Sequence, residues 1–206
     1  MTELLVTVSY YSDYAKIALE NYTIIEQLLA KRKVIDEKIK SSKHLSKEVV
    51  KEAYQWADTF IDINKYSRIV IIFCALSLEA FINDYAISRT SKSYLKNYLD
   101  KLDLYSKWVV IPRLLTGSQL DTGAQPMQDL DWLITQRNRL VHFKTKTVER
   151  DKVTTEIQFY NEQVAQKTID TVKNIVLALH KIDKTANETW LNYEGEWFPS
   201  KRLDSP

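Results

Sequence analysis

The sequence predicts an all-α fold, a single up-and-down helical bundle with a short irregular C-terminal tail, and three observations carry that expectation. Only three glycines and four prolines punctuate 206 residues, and a β-rich chain of this length needs many more turn-formers. Apolar side chains recur at steps of three, four and seven along most of the length. Hydrophobic residues make up 45% and charged residues 27%, a composition that buries a real core and excludes disorder for most of the chain. No internal repeat, low-complexity tract or Pro/Ser linker divides it. One domain over 1–206 is therefore expected, with its core at about 10–184 and a tail at 188–206.

The first helix is expected from about Tyr10 to Lys40, burying a stripe of Tyr14, Ile17, Ile24, Leu28, Ile35 and Ile39. A second pattern runs through Val49, Ala53, Trp56, Phe60 and Ile63, and a third from Tyr66 to Ala86. The third is apolar nearly all round between Ile69 and Leu78, which places it at the centre of the bundle. No breaker separates these two patterns, so one long helix and two shorter ones both fit. Ser91 to Leu115 reads as two short helices jointed at Asp100–Asp103, with Pro112 interrupting or kinking the second. Gly117 to Gly123 is the clearest loop. Pro126 suits the first turn of a helix reaching about Lys144. Thr145 to Ile157, rich in Thr and Val, reads as extended or irregular. The last strong helix covers about Tyr160 to Ile182, with a stripe at Ala165, Ile169, Val172, Val176 and Leu179. Trp190, Trp197 and Phe198 then suggest either a tail docked on the body or a frayed end.

Charge and cysteine usage narrow the function classes. A net charge of +2 is too small for tight non-specific binding to duplex nucleic acid, though it leaves room for a local basic site. Cys74 stands alone in an apolar run, as a buried, inert thiol in a reducing compartment would. The start of the chain lacks the basic-then-apolar order of a secretory signal, and Ile69–Leu78 is short for a bilayer span. A cytoplasmic protein with no membrane contact is expected.

One compact chemical signature stands out: Arg137-Asn138-Arg139-Leu140-Val141-His142. On a helical wheel Leu130, Leu133, Ile134, Leu140 and Val141 form an apolar stripe with Arg137 in its middle. A guanidinium cannot shed its charge, so that position demands a carboxylate, a phosphate or an edge open to water. Asn138 and His142 are four residues apart and share a face beside the stripe. The same spacing also fits a structural arginine paired with a buried acid and a histidine placed at a helix end for the dipole. Glu79 interrupts the most apolar helix with Asn83 four residues on. Two placements suit it: paired with Arg137 or another cation to hold a polar pocket, or pointing outward at the rim.

The signature resembles the defining motif of the HEPN superfamily (higher eukaryotes and prokaryotes nucleotide-binding domains), in which an arginine, commonly followed by a polar residue such as Asn138, precedes a histidine by a short gap. Ser77-Leu78-Glu79-Ala80-Phe81-Ile82-Asn83 is similar to an earlier helix of a bacterial subgroup. Lys107-Trp108, Ile111-Pro112-Arg113-Leu114 and the Gly117 loop resemble the segment leading to the motif. The resemblance covers about Tyr66 to Lys144 and the final helix. It implies a helical bundle, and in many members a metal-independent endoribonuclease working as a homodimer whose two motif helices line one cleft.

What the resemblance implies is consistent with the residue types. Cleaving RNA without metal needs a base for the 2′-hydroxyl, an acid for the leaving 5′-oxygen, and a cation for the charge that builds on phosphorus. Imidazole changes charge near neutrality, so His142 can act as acid or base. Arg137 presents a fork that matches phosphate oxygens. Asn138 can orient His142 or bind the phosphate, and Arg139 and Lys144 add attraction for the strand. One histidine cannot be acid and base in a single step, whereas two copies supply both. RNA is thus the expected partner, with a homodimer and, for a toxin or defence protein, a neutralising partner protein. No cofactor or metal is expected: His44 and His180 are isolated, no zinc spacing occurs, and there is no Gly-rich phosphate loop. A different class remains open on the same residues, a non-catalytic helical module that binds RNA, a nucleotide or a protein.

Overall fold

A computed structural model describes residues 10–42, 46–142, 147 and 159–191, and every regular element among them is helical. Helix α1 spans Tyr11–Ser41. Helix α2 spans Lys47–Ile87, and its first turn is capped by Ser46, whose Oγ accepts the Val49 N–H at 3.3 Å. The two apolar patterns of this region are therefore one helix, uninterrupted because neither glycine nor proline occurs in it. Helix α3, Lys92–Tyr94, runs directly into a π-helical turn at Leu95–Leu99. After the expected joint, Asp103 accepts the Ser106 N–H at 2.9 Å and starts helix α4, Leu104–Thr116. This helix continues through Pro112 and ends on Gly117, whose φ of 75° lies in the left-handed region that closes helices. Helix α5 covers Gln125–Val141 with Pro126 in its first turn. Helix α6 covers Glu162–Ile182 behind an Asn161 cap. The expected irregular stretch 145–157 lies, apart from Thr147, outside the described residues.

Side-chain pairs fix the directions. Ser77 Oγ donates to the Tyr11 carbonyl at 2.7 Å and Arg32 lies over Trp56, so α1 runs antiparallel to α2. Ser67 Oγ donates to the Asn161 carbonyl at 3.1 Å and the Tyr85 hydroxyl donates to Asp183 at 2.6 Å, so α6 runs parallel to α2. The Lys167 ammonium, 3.1 Å from Asp129, and the influence of Arg139 on Tyr160 set α5 antiparallel to α6. The result is an up-and-down bundle.

Helix α2 packs against α1, α4, α5 and α6, as its apolar circumference requires. Val70, Ile71, Cys74, Leu78 and Ile82 meet Leu130 and Leu133 of α5 and Val172, Ile175 and Leu179 of α6 in one core. By length and composition α2 could cross a membrane, contrary to the expectation from the shorter run Ile69–Leu78, but 56% of its most apolar window is buried inside the protein. Such burial is that of a bundle's central helix.

The buried seam of α1 differs from the expected stripe. Ala15, Ala18, Ile25 and Ile35 are buried, whereas Tyr14, Ile17, Ile24, Leu28 and Ile39 are partly covered. Alanines let two helix backbones approach closely, so the contact line follows them and the larger side chains flank it. At the C-terminal end, Trp190 packs edge-on to Tyr11 at 5.1 Å and against Phe81 at 5.4 Å. Trp197 and Phe198 lie outside the described residues.

Candidate functional site

Helix α5 docks on the bundle through Met127, Leu130, Leu133 and Gln136, a run at steps of three. That seam is rotated from the stripe read in the sequence, since Ile134 and Leu140 are partly covered and Val141 is 52% exposed. Arg137 accordingly stands at the flank of the buried face, partly covered, and not in its middle. The flank position satisfies the guanidinium, because one edge of it reaches water.

Arg137 Nη1 donates to Asn138 Oδ1 at 3.0 Å. Asn138 therefore holds the arginine. Its link to His142 is through the backbone, the His142 N–H donating to the Asn138 carbonyl at 2.9 Å. His142 is the cap residue of α5 and is exposed. At 3.6 residues per turn, Arg137 and His142 project about 140° apart with Asn138 between them. One chain thus presents a held guanidinium and an accessible imidazole on well-separated faces of one helix end.

Two residues that the sequence reading passed over stand at the same end. Tyr160, buried ahead of α6, has the Arg68 guanidinium 5.8 Å over its ring. Burial raises the pKa of the Tyr160 hydroxyl, and Arg139 and then Arg68 draw it partway back. Arg68 of α2 and Arg139 of α5 thus both act on Tyr160, near the end of the helix that carries Arg137. Asn64, one turn before Arg68 and buried, has an Nδ2 without a hydrogen-bond partner among the described residues. The available signal for Arg68 was a cation immediately ahead of the apolar run Ile69–Leu78. Lys144 lies outside the described residues.

Glu79 and Asn83 do not belong to this end. Ser67 is level with the start of α6, and Glu79 is twelve residues further along α2, about 18 Å by helical rise. The partner of Glu79 is Lys107 of α4, whose ammonium lies 3.5 Å from Glu79 and 3.9 Å from Asp100 while its side chain is only 2% exposed. Asn83 Oδ1 and Trp108 Nε1 are buried with no hydrogen-bond partner among the described residues. The alternative of "another cation" is the one realised for Glu79, and it holds α4 against α2.

Other groups are committed elsewhere. Burial pushes the Cys74 thiol far above its ordinary range, leaving it un-ionised and unreactive. His180 Nδ1 lies 2.9 Å from the Ala186 carbonyl and 3.2 Å from Glu188. A cleft of about 450 Å³ at the Trp190 end is lined by Tyr11, Phe81, Asp84, Tyr85 and Arg89, among others. Its arginine is held by Asp183 at 3.5 Å, by Thr185 and by the Tyr85 carbonyl. No group of His, Cys, Asp and Glu among the described residues could hold a metal ion. Compared with family models, curated proteins and solved structures, the chain matches none.

Proposed function

We propose that the chain is a cytoplasmic, metal-independent endoribonuclease that works as a homodimer, in a toxin or defence setting with a neutralising partner protein. The observation that carries this reading is the end of α5, which presents Arg137, fixed by Asn138, and the exposed imidazole of His142 on separate faces of one helix end, with Arg139 on the same turn. In the proposed step a base takes the 2′-hydroxyl proton and the 2′-oxygen bonds to phosphorus. The bond to the 5′-oxygen breaks, and that oxygen leaves with a proton from the acid. Two His142 side chains, one per copy, fill the acid and base roles that a single helix end cannot fill alone. Arg137 compensates the charge on the phosphorane. The products are a 2′,3′-cyclic phosphate and a free 5′-hydroxyl.

The test is incubation of mixed RNA in chelator with wild type, Arg137→Ala and His142→Ala. Wild type is expected to cleave to cyclic phosphate ends, and each variant to lose cleavage while keeping its helical circular dichroism. Undiminished cleavage by both variants overturns the proposal. A non-catalytic binding module is the second reading. It is favoured by the wide angle between Arg137 and His142 within one chain, and cleavage-free binding of RNA by wild type would select it.

A further inference from the structure

From Ser88 to Leu99 the chain contains no acidic residue, while Lys92 and Lys96 stand exposed along it and Arg89 is turned to Asp183. The acids that follow are engaged: Asp100 lies 3.9 Å from the Lys107 ammonium, and Asp103 caps α4. Leu95 and Leu99 of the π-helical turn are buried, which leaves Tyr94 and Tyr98 facing outward, 39% and 65% exposed. Their ring centroids are 5.0 Å apart. Leu114 of α4, 47% exposed, joins Tyr94, Thr90 and Ser91 around a cleft of about 320 Å³. Turns of π-helix are rare and are frequently found at functional sites.

We propose that this face binds single-stranded RNA, with Tyr94 and Tyr98 stacking on bases and Lys92 and Lys96 meeting the phosphates. Aromatic rings interleaved with cations of one sign suit a polyanion that offers a π-face at every unit. A protein partner would call for a continuous apolar centre with few charges, which Tyr94, Tyr98 and Leu114 beside two exposed lysines do not supply. The face lies beyond the end of α2 opposite the Arg137 end. Ser67 to Ser88 is twenty-one residues, about 32 Å of helix, so only a strand of many nucleotides reaches both. The choice of RNA as ligand rests on the ribonuclease reading.

The experiment measures fluorescence anisotropy of a labelled strand of roughly twenty nucleotides, above the few nucleotides that one stacking platform covers. It is done in chelator on a His142→Ala background that leaves the strand intact. Replacing both tyrosines by alanine is expected to weaken binding at least about tenfold, and replacing both by phenylalanine to preserve it. Lys92→Gln with Lys96→Gln is expected to flatten the slope of log affinity against log salt by about 1.4. Affinity and slope unchanged in both sets overturn the inference, as does lost self-association with RNA affinity intact, which would mark a protein interface. Cleavage of a dinucleotide by the His142-containing protein separates the two proposals. If it is cleaved while strand affinity ignores the tyrosines, only this inference falls; if RNA is neither cleaved nor bound, both fall.

Discussion

The ammonium of Lys107 is sealed between α4 and α2 with the Glu79 carboxylate 3.5 Å away. Removing Glu79 leaves the buried ammonium only the more distant Asp100 among the described carboxylates, and because Glu79 is 37% exposed, water screens part of the loss. Glu79→Ala is expected to cost about 2 kcal/mol in urea unfolding. Adding Lys107→Met should recover most of that loss, because methionine fills the channel without a charge to satisfy. A double variant no more stable than Glu79→Ala would contradict this account.

Asn138 holds the Arg137 guanidinium from the next position in the chain. For the proposed cleavage, Asn138→Ala is expected to slow the reaction by about tenfold, short of the roughly hundredfold cost of losing a charge-stabilising donor outright. Asn138→Asp keeps an acceptor and should retain more. Equal rates for wild type and Asn138→Ala would remove Asn138 from the machinery.

The helical architecture was legible in the sequence, and the rotations of its faces were not. Apolar spacing located each long helix, and Pro126 and Gly117 marked a start and a stop where the structure has them. Hydropathy alone could not show that Ala15 and Ala18 define the α1 seam, because alanine contributes little to a stripe yet governs how near two helices come. The same blindness put Arg137 mid-stripe, since Gln136 reads as polar but is buried. The partner of Glu79 lies twenty-eight residues away on another helix, beyond the reach of any local pattern.

Burial raises the pKa of Asp183, but the Tyr85 and Thr185 donors with Arg89 outweigh it and hold the carboxyl below its ordinary 3.8. A depressed folded pKa adds stability that is fully present well above 3.8 and is lost as pH falls through the folded value. Tyr85→Phe removes the 2.6 Å donor. Its unfolding free energy should drop by about 1–2 kcal/mol at neutral pH, and its further loss on acidification below pH about 4 should be shallower than that of wild type. Parallel acid limbs in pH-dependent urea titrations would refute the link.

Gly117 takes φ 75° with open space where a Cβ would stand. Gly117→Ala therefore meets a backbone cost alone, and a loss of about 1 kcal/mol is expected, with less for Gly117→Asn. A loss well above that in thermal unfolding would mean that the turn is crowded.

Helix α2, 41 residues without a glycine or proline, is a strut about 61 Å long. A strut offers no hinge, so two points along it keep a fixed separation. The level of Ser67 and the end near Ser88 stay about 32 Å apart. A ligand of the proposed kind would be measured as by a gauge, not gripped as by jaws, and the flexibility needed to reach both places would be its own.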